Sequence, residues 1–384
     1  MHIAYIDRSG AHAIWRLMDA TALSMIADSH RATYVKMRDG RQRPALPPPT
    51  GVSEQNIDVP ASRFPSDPRS TLSFKHQFRS WCQKAAPQIV HTNFCVPGSL
   101  ARKIAKRQFQ IPVVTTCHEM FDSMNPLLRW GVRRTEKYAD AIVYISQGVA
   151  QSYRPDFDPD QHGVDRNDPR HRLIYNGIDV EHIQAVVKQA QQTSAQNRPT
   201  SGPVLLSVGR LVPEKGHGTV IAALPDLVRR HPELKYVILG EGPNRNALLQ
   251  QAESMGVAQH LDLPGWVDHN EAIHQMVAAD CVIMPSHSVQ EGFGLAFAEA
   301  MLCETPIVTS RIPVFEEVAG GESDVLRFFT EGDSQSLGDQ VQSILAGTNE
   351  RKDFQPLVDR VAEKFDVKRM AHAYADLYRQ LRLR

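Results

Sequence analysis

Two carboxylates and two glycines occur close together in the second half of the chain. Glu291 and Glu299 stand on either side of Gly292 and Gly294. Glycines let a backbone approach a ligand closely, and the free N–H groups at a helix start can bind an anion. Carboxylates beside such a turn can accept hydrogen bonds from sugar or ribose hydroxyls. The spacing therefore predicts a site for a phosphorylated polyol. For either glutamate alone, a solvated loop acid or a helix acid favoured by the macrodipole explains the residue equally well.

The elements around these residues predict how they are positioned. The apolar run 280–284 is typical of a buried parallel strand, and good helix formers follow from Leu295 until Pro306 stops the helix. Glu291 would then lie in the loop at the carboxyl end of the strand, where open α/β sheets bind their ligands. Glu299 would lie about one turn inside the helix.

The same stretch resembles a known family signature. Glu291, seven intervening residues and Glu299, with Gly292-Phe293-Gly294-Leu295 between them, resemble the motif of retaining nucleotide-sugar glycosyltransferases of the GT-B fold, family 4. Several other segments match in the same order, so the resemblance covers most of the chain. It implies an α/β fold with two doubly wound Rossmann-like domains facing across a cleft. It also implies that Glu291, Gly292, Phe293, Gly294, Leu295 and Glu299 bind the donor.

A second group of residues has the chemistry to hold a diphosphate. Gly209, Arg210 and Lys215 follow a predicted strand and supply a flexible backbone, a planar guanidinium and a point charge. The alternative is that Arg210 and Lys215 are ordinary surface cations. However, a Gly-Arg pair, four intervening residues and a lysine resemble the family pattern. The resemblance further implies that the loop Gly265-Trp266-Val267 lies beside the nucleotide base and reads it through backbone groups.

The first half of the chain contributes two candidates. The first predicted turn contains Gly10, where family members often carry a Gly-Gly pair near the donor phosphates, so one glycine remains for a close approach. His118 ends a predicted strand and would face the crevice. A lone histidine is more often structural, but the resemblance implies that His118 hydrogen-bonds the transferred sugar.

Length and pattern predict the domain organisation. A chain of 384 residues is too long for one ordinary core, so two domains are expected. The predicted segments are an acceptor-binding domain (1–187), a polar linker (188–203), a donor-binding domain (204–365) and a C-terminal helix that returns to the first domain (366–384). Within the first domain, residues 38–70 are predicted as loop or edge structure and 154–172 as a surface insertion.

Composition limits the class of protein and its partners. Hydrophobic residues make up 42% and charged residues 22% of a chain with no net charge, as in soluble globular proteins. Residues 1–183 carry 24 Lys/Arg against 18 Asp/Glu, and the remainder carries 19 against 25. This asymmetry predicts an anionic acceptor or a peripheral membrane contact in the first half, or has no functional meaning. No nucleic-acid partner is expected.

The cysteines and the apolar runs predict a location. The five cysteines are scattered without the paired spacing of a disulfide or zinc framework, which is typical of a reducing cytoplasm. No apolar run reaches the length of a membrane span, and the chain opens directly on a predicted strand instead of a signal segment. The expected location is cytoplasmic, with possible association at the inner face of a membrane.

The expected activity is transfer of a sugar from a nucleotide-diphosphate sugar to a sugar, lipid-linked or small-molecule acceptor, as in polysaccharide, lipopolysaccharide or glycolipid assembly. The predicted catalytic residues are His118, Arg210, Lys215 and Glu291. No cofactor and no metal are expected, because the cations and the helix start would stabilise the leaving diphosphate. Asp156-x-Asp158 has the form of a metal motif but lies among prolines. The alternatives are a nucleotide-sugar 2-epimerase, a sugar-phosphate synthase, or a non-catalytic partner that binds the nucleotide sugar.

Overall fold

The computed structural model describes residues 1–39, 47–60, 67–93, 96–193, 202–288, 290–347 and 353–383. The chain forms two compact units, and each is built around its own parallel β-sheet. Unit 1 comprises Met1–Gly177 and Val367–Arg384, and unit 2 comprises Ile178–Asp366.

Seven strands form the sheet of unit 1. They are β1 (His2–Arg8), β2 (Arg31–Arg38), β3 (Ser53–Asp58), β4 (Ile89–Asn93), β5 (Val113–Cys117), β6 (Ala141–Tyr144) and β7 (His171–Leu173). Their spatial order is β3-β2-β1-β4-β5-β6-β7, and all adjacent pairs are parallel. The central strands are buried along their whole length, as expected when helices cover both faces of a parallel sheet. The strand order reverses between β1 and β4, which places a ligand-binding crevice at the carboxyl ends of these strands.

Five helices connect these strands. They are α1 (His12–Ala27), α2 (Pro68–Ala85), α3 (Val96–Ile104), α4 (Pro126–Glu136) and α5 (Gln147–Tyr153). Ser146 caps the start of α5, because its hydroxyl accepts a hydrogen bond from the Val149 amide at 3.1 Å. A π-helical turn, Ala105–Phe109, extends α3 towards β5.

The C-terminal helix spans Val367–Arg382, within the predicted segment 366–384, and belongs to unit 1. Buried tyrosines attach it to the sheet. The Tyr378 hydroxyl lies 2.6 Å from His91 Nδ1, and the Tyr374 hydroxyl lies 2.9 Å from the Thr116 hydroxyl. Because a buried hydroxyl without a partner is costly, these hydrogen bonds specify where the helix packs.

Six strands form the sheet of unit 2. They are β8 (Val204–Val208), β9 (Lys235–Leu239), β10 (Leu261–Gly265), β11 (Cys281–Met284), β12 (Ile307–Ser310) and β13 (Leu326–Phe329). The spatial order is β10-β9-β8-β11-β12-β13, again fully parallel. The order reverses between β8 and β11, so loops that follow these two strands share a switch point.

Helices cover the second sheet. They are α6 (Val180–Thr193), α7 (His217–Arg230), α8 (Arg245–Ser254), α9 (His269–Ala278), α10 (Leu295–Leu302), α11 (Pro313–Ala319), α12 (Ser334–Ala346) and α13 (Gln355–Phe365). The apolar faces of α7, α8 and α12 meet the sheet in one core that includes Leu224, Leu248, Ile283 and Val341. No helix in the described parts of the chain is both long enough and apolar enough to cross a membrane.

The boundary between the units differs from the predicted one. It follows Gly177, whereas the sequence analysis ended the first domain at residue 187. Residues 188–193 of the predicted linker belong to α6, because Ile183, Val186 and Val187 are buried within unit 2. Residues 194–201 of that linker lie outside the described residues.

Two other segments of unit 1 are more ordered than a plain loop. The stretch predicted as a surface insertion ends in β7, where His171 is buried and its Nδ1 lies 2.8 Å from the Tyr144 hydroxyl. The proline-rich stretch 38–70 contains the edge strand β3, in agreement with the prediction of loop or edge structure. Residues 40–46 and 61–66 of that stretch lie outside the described residues.

Candidate active site

The chain that leaves β8 carries the first three predicted residues. The Gly209 amide donates to the Leu239 carbonyl at 2.9 Å, which continues the pairing of β8 with β9. Arg210 follows and is exposed, and no hydrogen bond or ion pair joins its side chain to another described residue. A short 3₁₀ turn, Pro213–Lys215, follows. The side chain of Lys215 lies over Gly209, since carbons of the lysine stem are 3.7–3.8 Å from the position that a Cβ on Gly209 would occupy.

Gly216 joins this turn to the end of β11. Its φ of +67° is in the left-handed region, and a Cβ there would lie 1.9 Å from the Pro285 carbonyl oxygen. Only glycine permits both the conformation and the close approach. The turn that carries Lys215 is therefore held against the loop that follows β11.

A second left-handed glycine starts α10. Gly294 has a φ of +82° and precedes Leu295, the first residue of the helix. A Cβ at Gly294 would lie 2.5 Å from Cε1 of Phe315. Phe293 is buried and packs edge-to-face on Phe365, with ring centroids 5.4 Å apart. The phenylalanine is thus a packing anchor that holds the buried turn Gly292–Gly294 in place.

Lys215 and Glu291 are in direct contact. Lys215 Nζ donates to Glu291 Oε2 at 2.6 Å, and the exposed fractions of the two side chains are 27% and 12%. A hydrogen bond between two charged groups is shorter and stronger than a neutral one, particularly where water is partly excluded. Residues 76 positions apart in the sequence therefore form one charged unit at the switch point between β8 and β11.

The loop before Glu291 is fixed by residues that sequence reasoning did not identify. The His287 amide donates to the Glu214 carbonyl at 2.8 Å, beside Lys215. Glu331, just after β13, accepts a hydrogen bond from the Ser288 amide at 3.1 Å and lies 3.2 Å from His287 Nδ1. A lone glutamate after a strand has no local signal for this role.

The remaining predicted residues of unit 2 are Glu299 and the loop Gly265 to Val267. Gly265 ends β10 with a φ of +95°, and its carbonyl accepts from the Gly240 amide at 2.8 Å. Trp266 is 69% exposed, and Val267 is partly buried. Two residues further on, His269 Nε2 lies 3.1 Å from Glu299 Oε1, a contact that the sequence did not predict.

Gly10 and His118 lie in unit 1. Gly10 is exposed in the turn between β1 and α1. His118 directly follows β5, and its Nε2 lies 2.9 Å from Oδ1 of Asn93, the last residue of the neighbouring strand β4. Burial lowers the pKa of His118 to about 4, so the imidazole is neutral near pH 7. The sequence did not predict the contact with Asn93.

The aspartates of the metal-like motif are engaged elsewhere. Asp156 Oδ2 lies 3.5 Å from Arg154 Nη2, and Asp158 lies 2.8 Å from Arg166 Nη1. Among the residues that the structure describes, no three His, Cys, Asp or Glu side chains are grouped so that they could hold a metal ion.

In unit 2 the structure places Gly209, Arg210 and Lys215 after β8 and Glu291 to Leu295 after β11, at one edge of the sheet. Contacts within this set join Lys215 to Gly209 and to Glu291. Glu299 and the loop 265–267 are linked through His269.

Comparisons with known proteins identify the family. Residues 188–356 match the family "Glycosyl transferases group 1", and residues 16–182 match "Glycosyltransferase Family 4". The chain is 31% identical over 319 residues to the glycogen synthase of Mycobacterium tuberculosis, covering 78% of this chain and 69% of that protein. It is 28% identical over 236 residues to a GDP-mannose-dependent phosphatidylinositol monomannoside mannosyltransferase of Mycolicibacterium smegmatis, covering 60% of this chain and 58% of that one.

Solved structures share the fold. A sucrose-phosphate synthase from Thermosynechococcus elongatus superposes with a TM-score of 0.78 at 20% identity, covering 99% of both chains. HepE of Anabaena, solved with UDP-glucose, has a TM-score of 0.74 at 19% identity and covers 99% of this chain and 100% of its own. With both family matches and the relative of 31% identity, the chain belongs to the group 1 glycosyl transferases and is a glycosyltransferase with the GT-B fold.

Proposed function

We propose that this glycosyltransferase moves a sugar from a nucleotide-diphosphate sugar to an acceptor hydroxyl with retention at the anomeric carbon and without a metal ion. The observation that carries the proposal is the contact between Lys215 and Glu291 beside the start of α10. This contact joins a phosphate-binding charge to a polyol-binding carboxylate at the ligand-binding edge of the sheet.

The charges at this edge suit a leaving diphosphate. When the bond to the sugar breaks, negative charge builds up on the phosphate oxygens, and preorganised cations and amides stabilise it. Lys215 and the exposed Arg210 supply the cations. The amides of Leu295 and Ala296 precede the first bond of α10, which the Phe297 amide donates to the Gly294 carbonyl at 3.0 Å, and they lie at the positive end of the helix dipole.

Glu291 has two tasks in this scheme. In the structure it holds Lys215 at 2.6 Å, which keeps the ammonium in place. When the donor phosphate takes over the ammonium, the carboxylate becomes available to accept hydrogen bonds from the sugar hydroxyls. A single side chain would thereby link phosphate capture to sugar orientation.

His118 would orient the transferred sugar. With Asn93 Oδ1 as an acceptor, Nε2 carries the hydrogen, and a neutral ring then leaves Nδ1 as an acceptor for a sugar hydroxyl. The departing phosphate itself would take the proton from the acceptor hydroxyl, so that no protein nucleophile is needed. Retention then follows if the acceptor attacks on the face from which the phosphate leaves.

The relatives support the proposed donor and acceptor classes. One relative is named for its dependence on GDP-mannose, and the HepE structure contains UDP-glucose, so the fold accepts different nucleotides. One relative is named as acting on phosphatidylinositol monomannoside, a lipid-linked acceptor, and another is a glycogen synthase. We infer that the acceptor is a sugar, free or lipid-linked, as in polysaccharide, lipopolysaccharide or glycolipid assembly.

Helix α4 supports a peripheral membrane contact of unit 1. Trp130 is 59% exposed and Leu128 is 39% exposed, and the guanidinium of Arg134 lies 5.2 Å from the Trp130 ring centroid. Tryptophan beside exposed arginines and a lysine is the combination that binds an anionic lipid interface. Cosedimentation with lipid vesicles tests this contact.

Replacing Lys215 with methionine tests the proposed function. Methionine keeps most of the stem but removes the charge, so turnover should fall by about a hundredfold or more while the protein stays folded. Sugar transfer from a panel of nucleotide sugars is measured together with thermal denaturation, with Lys235→Met at the opposite, amino edge of the same sheet as the control. Wild-type turnover in Lys215→Met would refute the phosphate role.

The same assay in EDTA tests the metal-independent mechanism. Full activity is expected after chelation and dialysis, because side-chain cations carry the phosphate charge. A strict requirement for added Mg²⁺ or Mn²⁺ would overturn that part of the proposal.

A further inference from the structure

His269 lies between the loop 265–267 and the carboxylate of Glu299. Its Nε2 is 3.1 Å from Glu299 Oε1. An ionised carboxylate only accepts hydrogen bonds, so Nε2 must carry the hydrogen. The contact uses Oε1, so Oε2 of Glu299 can accept a hydrogen bond from a ligand. The Glu299 side chain is 19% exposed, and a ligand can therefore reach it.

The backbone holds His269 in a defined place. Asp268 caps α9 by accepting a hydrogen bond from the Glu271 amide at 3.0 Å, so that His269 is the first helical residue. Gly265 to Val267 immediately precede this cap. The loop and the imidazole are consequently parts of one short, capped junction.

A second histidine supports the ring of the first. His182 of α6 lies nearly parallel to His269, with ring centroids 6.2 Å apart and an interplanar angle of 18°. His182 Nε2 lies 2.8 Å from Oδ1 of Asn270, the next residue of α9. The imidazole of His269 therefore has a neighbour on one face and the Glu299 carboxylate at its edge.

We propose that His269 is a positioning residue that orients Glu299 towards the ribose hydroxyls of a ribonucleoside diphosphate. It couples that carboxylate to the loop beside the base, so that base and ribose are recognised together. The inference rests on the proposed function, because it assigns a nucleotide to this edge of unit 2. The ribose is the recognised feature because its 2′ and 3′ hydroxyls are paired donors that suit a fixed carboxylate.

The test compares ribonucleotides with analogues that lack both hydroxyls. Calorimetric titrations measure the dissociation constants of UDP, GDP and ADP and of their 2′,3′-dideoxy counterparts, and the base that binds best is carried forward. Wild-type protein should bind the ribonucleotide about tenfold or more tightly than the dideoxy analogue, as expected for hydrogen bonds to a charged group. His269→Phe, which keeps an aromatic ring but cannot donate, should reduce this ratio to below about threefold.

Two further variants separate positioning from structure. His269→Gln restores a hydrogen-bond donor and should recover most of the preference for the ribonucleotide over the dideoxy analogue. His274→Ala, on the same helix, should leave this preference at the wild-type value. His269→Ala serves in place of His269→Phe if the larger ring does not fold.

The outcomes distinguish this inference from the proposed function. If His269→Phe weakens the binding of the ribonucleotide and of the dideoxy analogue by the same factor, the ratio of their dissociation constants is unchanged. His269 then does not position Glu299. A wild-type protein that binds ribonucleotide and dideoxynucleotide equally overturns the inference and leaves phosphate binding intact. A wild-type protein that binds none of the nucleotides overturns the inference and the proposed function together.

Discussion

Several candidate site residues contact partners that are distant in sequence. Lys215 meets Glu291, His269 meets Glu299, and His118 meets Asn93. Each pair places a donor against an acceptor where water is partly excluded, so that both side chains are oriented before a ligand arrives. Such preorganisation is what makes fixed charges effective on a developing negative charge. The proposed chemistry therefore depends on how accurately the backbone turns hold these side chains.

Replacing Gly294 with alanine should show this dependence. Its φ of +82° costs a non-glycine residue about 1–2 kcal/mol, and a Cβ 2.5 Å from Phe315 forces the ring or the turn to move. We expect a loss of unfolding free energy of about 2 kcal/mol or more, and lower turnover because the first amides of α10 shift. Urea denaturation and sugar transfer measure the two effects.

A glycine of the same unit provides the control. Gly338 lies within α12, and, apart from its chain neighbours and the backbone of its own helix, no atom of the described residues lies within 4 Å of an added Cβ. Gly338→Ala should leave stability unchanged or raise it by up to about 1 kcal/mol. Equal effects of the two substitutions would contradict the role assigned to the turn at Gly294.

At the scale of elements, helices perform two different tasks. Helix α10 starts at the ligand-binding edge and buries an apolar face that includes Phe297 and Met301, so its position is set by the core of unit 2. Helix α4 keeps Trp130 exposed beside basic residues. A helix with one packed face and one solvated face needs no further function, but an exposed tryptophan adds a reason to expect a partner.

Vesicle cosedimentation should detect a partner of α4. The wild-type chain is expected to bind vesicles that contain anionic phosphatidylglycerol, and to bind neutral phosphatidylcholine vesicles less well. The double variant Trp130→Ser, Arg134→Gln should lose binding by about fivefold or more, since each basic residue near an anionic surface contributes about 1 kcal/mol.

An exposed arginine of unit 2 controls for total charge. Arg229→Gln in α7 removes one positive charge and should bind vesicles like the wild-type chain. Raising the salt concentration should weaken the interaction. Equal binding of anionic and neutral vesicles would rule out the contact.

At the scale of the whole molecule, buried histidines in both units link stability to pH. Burial is the largest cause that lowers the pKa of His91 to about 3, and of His118, His171 and His217 to about 4. In the unfolded chain each would titrate near the ordinary value of about 6.5. Below that pH the unfolded state binds more protons than the folded state, so stability falls as the pH is lowered.

The melting temperature should therefore decrease as the pH falls from about 6.5 to about 4.5, a range above most carboxylate titrations. His217→Gln, which removes one of these groups from unit 2, should make the decrease shallower. Thermal denaturation followed by circular dichroism at a series of pH values measures both. A constant melting temperature across this range would show that the histidines are not buried in the neutral state.

Local pattern predicted most elements of the fold. The strand and the helix on either side of the Glu291 loop lie where the apolar run and the helix formers placed them, at Cys281–Met284 and Leu295–Leu302. Strand ends and helix starts are local signals, because they depend on neighbouring side chains and backbone conformation. The C-terminal helix, at Val367–Arg382, lies within the segment 366–384 that the same kind of signal predicted.

The amino-acid sequence by itself determined the parallel α/β class, the order of the elements and the residue types that the motifs bring to strand ends. Only the tertiary structure decided which unit α6 joins and which side chains meet. The reason is physical. The polar end of α6 does not reveal which core buries the few apolar residues of this helix. A contact across 76 positions, as between Lys215 and Glu291, leaves no trace in the local sequence pattern. Such contacts form because parallel strands bring their carboxyl ends to one edge, whatever their separation along the chain.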